Sequence, residues 1–202
     1  YRMNYGKFFE RHEQARADIT IAACPQSEET ASSFGLLHCD TDGFVTRFAE
    51  KPTGAELEAM RVDPSKPLGS GVAPGAPYLA SMGIYIFSPH VLAELLEAAP
   101  DANDFGKELI PMALSRYRVA VHFFQGYWED IGTISAFYRA NIALTHSGQF
   151  SLYDQDFPIY TRPRYLSATR IDEADVKHAL IVEGGIIGKS RIYNSLVGLR
   201  SR

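Results

Sequence analysis

Four short polar stretches carry most of the groups in this sequence that could do chemistry. FAEKP (Phe48 to Pro52) sets Glu50 and Lys51 side by side ahead of a proline that stops a strand. LASMGIY (Leu79 to Tyr85) spaces Ser81 and Tyr85 four apart in an apolar run, and an even spacing puts both on one face of a strand. NDFGKELIP (Asn103 to Pro111) places Asp104 and Phe105 at the N-terminal side of a helix, and YWEDIGT (Tyr127 to Thr133) holds the only tryptophan, Trp128, beside Glu129 and Asp130 before another helix. Each stretch taken singly has a plain structural reading: surface ion pair, core strand, helix cap, turn. Asp130 could cap, pair with an arginine or hold a metal ion. Together the stretches supply a cation, carboxylates, a hydroxyl and aromatic faces. That set suits a phosphorylated sugar: lysine meets phosphate as a point charge, carboxylates accept hydrogen bonds from ring hydroxyls, and aromatic rings cover the apolar face of the ring.

The elements that must position these groups alternate between helix and strand. Residues 5–15 read as a helix and 17–25 as a β-rich run ended by Pro25. Residues 34–52 read as a hairpin turning at Asp42-Gly43. A short helix over 55–61 precedes a Gly-, Pro- and Ser-rich loop over 62–77 and an apolar strand over 77–88. Helices follow over 91–98 and 106–116, then a strand over 118–124. The helix over 133–145 has Thr133 as N-cap and apolar residues at Ile134, Phe137, Ile142 and Leu144. This interleaving predicts an α/β domain with a mixed sheet over 1–146. An aromatic, proline-rich linker occupies 147–170. Over 171–202, Leu180, Ile186 and Ile192 recur every six residues, and Ile181 and Ile187 repeat the spacing, as in the hexapeptide rungs of a parallel β-helix.

Composition narrows the partners. A chain of 202 residues that is 46% hydrophobic and 22% charged can bury a real core. A net charge of −4 argues against DNA or RNA, and no apolar run approaches a membrane span. Cys24 and Cys39 lack metal spacing and read as reduced thiols in an intracellular compartment. GGIIGKS (Gly184 to Ser190) imitates a phosphate-binding loop but is one residue short and lies in the hexapeptide register. GSGVAPG (Gly69 to Gly75) has no strand before it and reads as loop, and the scattered histidines offer no ligand pair.

The ordered set YRMNY, ADITIA, FGLLHCDTDGFVTRFAEKP, LASMGIYIF, NDFGKELIP, YWEDIGT and PIYTRPRYL resembles the glucose-1-phosphate adenylyltransferase (ADP-glucose pyrophosphorylase) family, most of all its plant, algal and cyanobacterial branch. The resemblance implies a Rossmann-like nucleotidyltransferase domain followed by the start of a left-handed parallel β-helix. It implies transfer of AMP from ATP to glucose 1-phosphate with Mg²⁺, for starch or glycogen synthesis. It also implies a homo- or hetero-tetramer under a phosphorylated allosteric effector. The location would be the plastid stroma for a plant or algal protein and the cytoplasm for a bacterial one. By the same resemblance, Lys51 binds the sugar phosphate, Glu50 the sugar hydroxyls and Gly35 the ligand by its backbone. Ser81, Tyr85, Asp104, Phe105 and Trp128 complete the glucose 1-phosphate pocket. Asp130 holds the metal, and Arg164 with its neighbour Arg162 belongs to a regulatory anion site.

The chain also departs from the family. The Gly-rich nucleotide loop is absent, as is the G-D-H motif that precedes YRM and supplies the partner metal aspartate. Asn4 stands where the family usually has Asp. The sequence reads as a piece of a longer polypeptide, since it starts at Tyr1 without methionine. A related transferase using another base, or a non-catalytic regulatory subunit, remains an alternative. The 202 residues alone are expected to show no pyrophosphorylase turnover, because one carboxylate is a poor Mg²⁺ site. Pyrophosphate release from ATP and glucose 1-phosphate by the purified chain checks this.

Overall fold

The computed structural model describes residues 1–62, 75–148 and 150–202. The loop expected over 62–77 falls mainly on residues outside these, as does most of Gly69 to Gly75. The chain divides into two compact units, Arg2–Gly126 and Tyr1 with Tyr127–Arg202.

The first unit begins with helix α1 (Tyr5–Ala15), capped by Asn4, whose Oδ1 accepts from Lys7 N at 3.2 Å. Asn caps as well as Asp, so helix start is no obstacle to the substitution at this position. Strand β1 (Ile19–Gln26), helix α2 (Glu28–Ala31), strands β2 (Gly35–Cys39) and β3 (Val45–Glu50) and helix α3 (Gly54–Glu58) follow. Then come β4 (Tyr78–Phe87), α4 (Pro89–Ala98), a π-helical turn (Phe105–Leu109), α5 (Ile110–Leu114) and β5 (Val119–Phe123). The strands form one sheet in the order β3-β2-β4-β1-β5, antiparallel except for the parallel β1·β5 pair.

Strand β1 is buried on both faces from Ile19 to Cys24. Ile19, Ile21 and Ala23 share a core with Leu79, Val91, Leu95, Leu109, Ile110 and Val121. A second core joins Ala31, Leu36, Met60, Tyr78 and Ala80. Both cysteines are free and buried, and burial pushes the Cys39 thiol up to about 11, leaving it inert. Pro25 does not end β1, contrary to the expectation from sequence. It pairs with Leu79 of β4, while β5 covers β1 only as far as Ala23. At Pro25 one side of β1 is therefore an edge, where a missing N–H costs no ladder bond.

The hairpin forms as the Asp42-Gly43 signal predicts. Asp40 Oδ1 accepts from Asp42 N and Phe44 N, and Gly43 takes a φ of 80°. Its tip reaches the opposite edge of the sheet, where Phe44 bridges Ala120 and Val121 N donates to Gly43 O at 2.8 Å. Arg11 pins this closure from α1. Its Nε donates to Val121 O (3.1 Å) and its Nη2 to Asp42 O (2.9 Å) and Gly43 O (3.2 Å). The helix expected over 106–116 opens as the π turn. Pro111 cannot donate to the carbonyl four residues back and its ring crowds that carbonyl, which a widened turn relieves.

In the second unit α6 (Ile134–Ala143) is capped by Thr133, whose Oγ1 accepts from Ala136 N at 3.1 Å. Its apolar positions do not make a buried stripe: Ala136 is buried, whereas Ile134 and Phe137 are exposed. Strands β6 (Arg170–Ile171), β7 (Asp175–Ile181), β8 (Ile186–Ile187) and β9 (Arg191–Val197) pair in parallel as β6·β8 and β7·β9. The register is sixteen residues, with Ile171 on Ile187, Val176 on Ile192 and Ile181 on Val197. Each coil is thus two residues short of three full hexapeptides. Of the two six-residue series, Ile187 is buried and Ile186 exposed. Left-handed φ recurs at the same interval, at His178 and Asn194 and at Gly184 and Arg200, so the corners stack as the strands do.

Arg11→Met keeps most of the aliphatic stem and removes the guanidinium. It should lower the unfolding free energy by about 1–3 kcal/mol, the range for a charged donor losing carbonyl partners. The Val121 amide should lose hydrogen-exchange protection at the same time. An unchanged urea midpoint would show that the clamp contributes nothing.

Candidate sugar-phosphate site

The site grows from the end of β3. Glu50 pairs across the hairpin with Gly35, so its side chain lies over a residue that has none. A Cβ built on Gly35 would stand 2.6 Å from Glu50 Oε2 and 2.6 Å from Phe48 Cζ. A second glycine closes the other side: a Cβ on Gly106, in the π turn, would stand 2.7 Å from Glu50 Oε2. Burial, and then the charge of Asp104, raise the Glu50 carboxyl above its ordinary value, while Lys51 and Lys107 oppose the shift. Lys51 leaves the strand in the left-handed region at φ 48°, with its N–H donated to Phe34 O at 3.1 Å. Such a conformation costs a non-glycine residue about 1–2 kcal/mol, and the adjoining Pro52 prevents the strand from running on.

Ser81 and Tyr85 do meet, with Ser81 Oγ 3.5 Å from Tyr85 Oη. The strand between them is irregular. Ile21 pairs with Tyr85 and Ala23 with Ser81, so three β4 residues oppose Ala22 alone, and Gly83 takes a φ of 69°. The bulge inserts two residues, and so the even spacing keeps its parity. Ser81 Oγ also accepts from Gly83 N at 3.2 Å, satisfying an amide that the bulge frees. Burial raises the Tyr85 hydroxyl, opposed by its bond with Ser81; Glu50 and Asp104 add to the rise.

Asp104 caps the π turn, with Oδ1 accepting from Lys107 N at 2.9 Å. Glu108 Oε1 accepts in return from Asn103 N and Asp104 N. The cap aims Phe105, whose ring stacks on Tyr85 (centroids 6.0 Å apart, planes at 20°) and tilts against Phe87 at 5.7 Å. The structure thus gathers Gly35, Glu50, Lys51, Ser81, Tyr85, Asp104 and Phe105 in the first unit. Gly106 and Phe87 were not among the residues singled out from sequence. A glycine in a first helical turn, where alanine would be more stable, was the available signal for Gly106.

The remaining candidates lie in the second unit. Trp128 is half-buried and Asp130 exposed. Asp130 folds over Gly132, where a Cβ would stand 3.1 Å from its Oδ2. The helix cap belongs to Thr133, and among the described residues Asp130 has no hydrogen-bond or ion-pair partner. A cation would therefore find its oxygens unengaged, and a single-ligand role fits. Among the described residues no group of three or more His, Cys, Asp or Glu side chains could hold a metal by itself. Arg162 and Arg164 are exposed on either side of Pro163.

Residues 1–147 match the model of the nucleotidyl transferase family. The chain belongs to that family. Within this nucleotidyl transferase, residues 164–202 match a further model, the GLGC left-handed parallel β-helix domain. The chain is also similar to a small subunit of glucose-1-phosphate adenylyltransferase, chloroplastic/amyloplastic, from Triticum aestivum. The two are 50% identical over 206 residues, covering 100% of this chain and 44% of the wheat protein. The chain thus spans less than half the length of that relative.

The raised Glu50 carboxyl has a consequence for stability. Its native form holds a proton more tightly than an ordinary carboxyl does. Its contribution is therefore fully present at low pH and is lost as pH rises from the ordinary value of 4.5 through the raised one. Glu50→Gln should melt at a higher temperature than the parent at pH 7, and the gap should close below pH 4.5. Calorimetric melts across pH check this. A parent as stable as the variant at every pH would show that Glu50 bears no burial penalty.

Proposed function

We propose that this protein transfers AMP from ATP to glucose 1-phosphate, forming ADP-glucose and releasing pyrophosphate for starch or glycogen synthesis. The observation that carries the reading is the Glu50 carboxylate, held between Gly35 and Gly106 beside Asp104, Lys51 and the Tyr85–Phe105 stack. The likeness to the wheat small subunit supports it. In this reading the Lys51 ammonium meets the sugar phosphate, Glu50 and Asp104 accept from ring hydroxyls, and the stacked rings cover the apolar face of the sugar. The phosphate oxygen is already ionised at neutral pH, so it attacks the α-phosphorus of ATP without a general base, and the bond to pyrophosphate breaks. The resemblance alone assigns Trp128 to the sugar and Asp130 to Mg²⁺. When bound, the metal supplies positive charge to the reacting phosphates. By the same warrant Arg162 and Arg164 receive a phosphorylated effector, since guanidinium forks match phosphate oxygens, and the protein works as a tetramer in a plastid.

Lys51 and Asp130 should separate kinetically in the full-length enzyme. Lys51 meets a charge present in both ground and transition states, so Lys51→Ala should chiefly raise the KM for glucose 1-phosphate, by about 10- to 150-fold. Asp130→Asn removes charge that matters most as the phosphates react, and should cut kcat by on the order of 100-fold with a smaller change in KM. Steady-state kinetics at saturating Mg²⁺ and ATP read both. A normal kcat in Asp130→Asn removes its metal role, and an unchanged sugar KM in Lys51→Ala removes Lys51 from the phosphate.

A further inference from the structure

We propose that Gly106 is a positioning residue: with Gly35 it forms a two-sided glycine clamp that holds the Glu50 carboxylate in its sugar-binding place. The inference rests on the sugar-phosphate reading above only for what the carboxylate contacts.

The clamp follows from the space the two glycines leave. Glu50 ends a strand and its carboxylate sits at the end of a flexible side chain. No hydrogen bond from the described residues to its oxygens appears, and Asp104 repels it electrostatically. Its place is set by close backbone approach on both sides. The built Cβ at Gly35 lies 2.6 Å from Oε2 and that at Gly106 lies 2.7 Å from the same atom and 3.3 Å from Cδ. Either methyl would occupy the carboxylate's position.

The two glycines differ in what else they touch. At Gly35 the methyl would also strike the Phe48 ring, so a substitution there disturbs packing. At Gly106 the close contacts under 3.4 Å are both with the Glu50 carboxylate, which can rotate away. Gly106 also lacks a left-handed φ and sits in a helical turn, where alanine is ordinarily preferred. An ordinary helical glycine there would gain stability on becoming alanine and change nothing else. A positioning glycine would keep the fold and send Glu50 into solvent. Displacement also removes the first cause of its raised carboxyl, burial, and distances it from Asp104, Lys51, Lys107 and Tyr85, the groups around it.

The test compares Gly106→Ala with the parent and with Gly188→Ala, a glycine with nothing within 4 Å of its built Cβ. One readout is the titration of the Glu50 side-chain carboxyl by carbon NMR in the full-length protein, assigned through Glu50→Gln. The other is the affinity for glucose 1-phosphate by calorimetry. Gly106→Ala should melt no lower than the parent, lower the Glu50 midpoint toward the ordinary value, and weaken sugar-phosphate binding about tenfold or more. Gly188→Ala should do neither. If Gly106→Ala fails to fold, Gly106→Ser combined with Glu50→Asp, whose shorter side chain clears the added Cβ, must fold where Gly106→Ser alone does not. An unmoved Glu50 midpoint in a folded Gly106→Ala overturns the clamp. A moved midpoint in a protein whose parent binds no glucose 1-phosphate upholds the clamp and overturns the sugar reading.

Discussion

Burial of β1 on both faces is the constraint from which the first unit follows. Six consecutive residues, Ile19 to Cys24, lose contact with water, and every backbone group among them must then find a partner inside the protein. The long antiparallel strand β4 satisfies one side and the shorter parallel strand β5 the other. Thr20, the polar residue within this run, faces His12 Nδ1 at 2.8 Å. That contact ties α1 to the sheet and keeps a hydroxyl from being buried without a partner. The shorter reach of β5 also leaves room for Pro25, whose ring would break a strand paired on both sides.

The candidate site occupies the places where this regularity gives way. β3 stops at Glu50 and Lys51 turns left-handed; β4 bulges at Gly83; a helix opens as a π turn after Asp104. Each irregularity frees or redirects polar groups, and each is held by a local bond: Phe34 O to Lys51 N, Ser81 Oγ to Gly83 N, Asp104 Oδ1 to Lys107 N. Glu50 has no such bond and bears a desolvation cost instead. A group poised to accept from a ligand is less stable without it, the usual tension between binding and stability.

Much of this was legible in the residues. The Asp42-Gly43 turn, the Thr133 cap and the even spacing of Ser81 and Tyr85 are local chemistry, and the structure has all three. Other features depend on partners distant in the chain. Pro25 looked like an end because its pairing is decided by where β5 stops, nearly a hundred positions later. The six-residue series in the β-helix segment suggested two equivalent phases, but the coil repeats at sixteen, which only the stacking of one turn on another reveals. Gly106 was hidden for the same reason: the atom that requires it belongs to Glu50, in another element.

The closure made by Arg11 also bears on how the chain acquires its shape. The hairpin over β2 and β3 needs only neighbours and can form within a short stretch, whereas the guanidinium joins α1 to a carbonyl 110 positions away. Closing so long a loop costs entropy that no local contact offsets, and contacts of that separation slow folding. Until β5 has been made, the free edge of β1 and the Phe44 end of the hairpin lack the partners they have in the folded unit. Arg11 is therefore a latch set late: it fastens an assembly whose other parts can find one another beforehand.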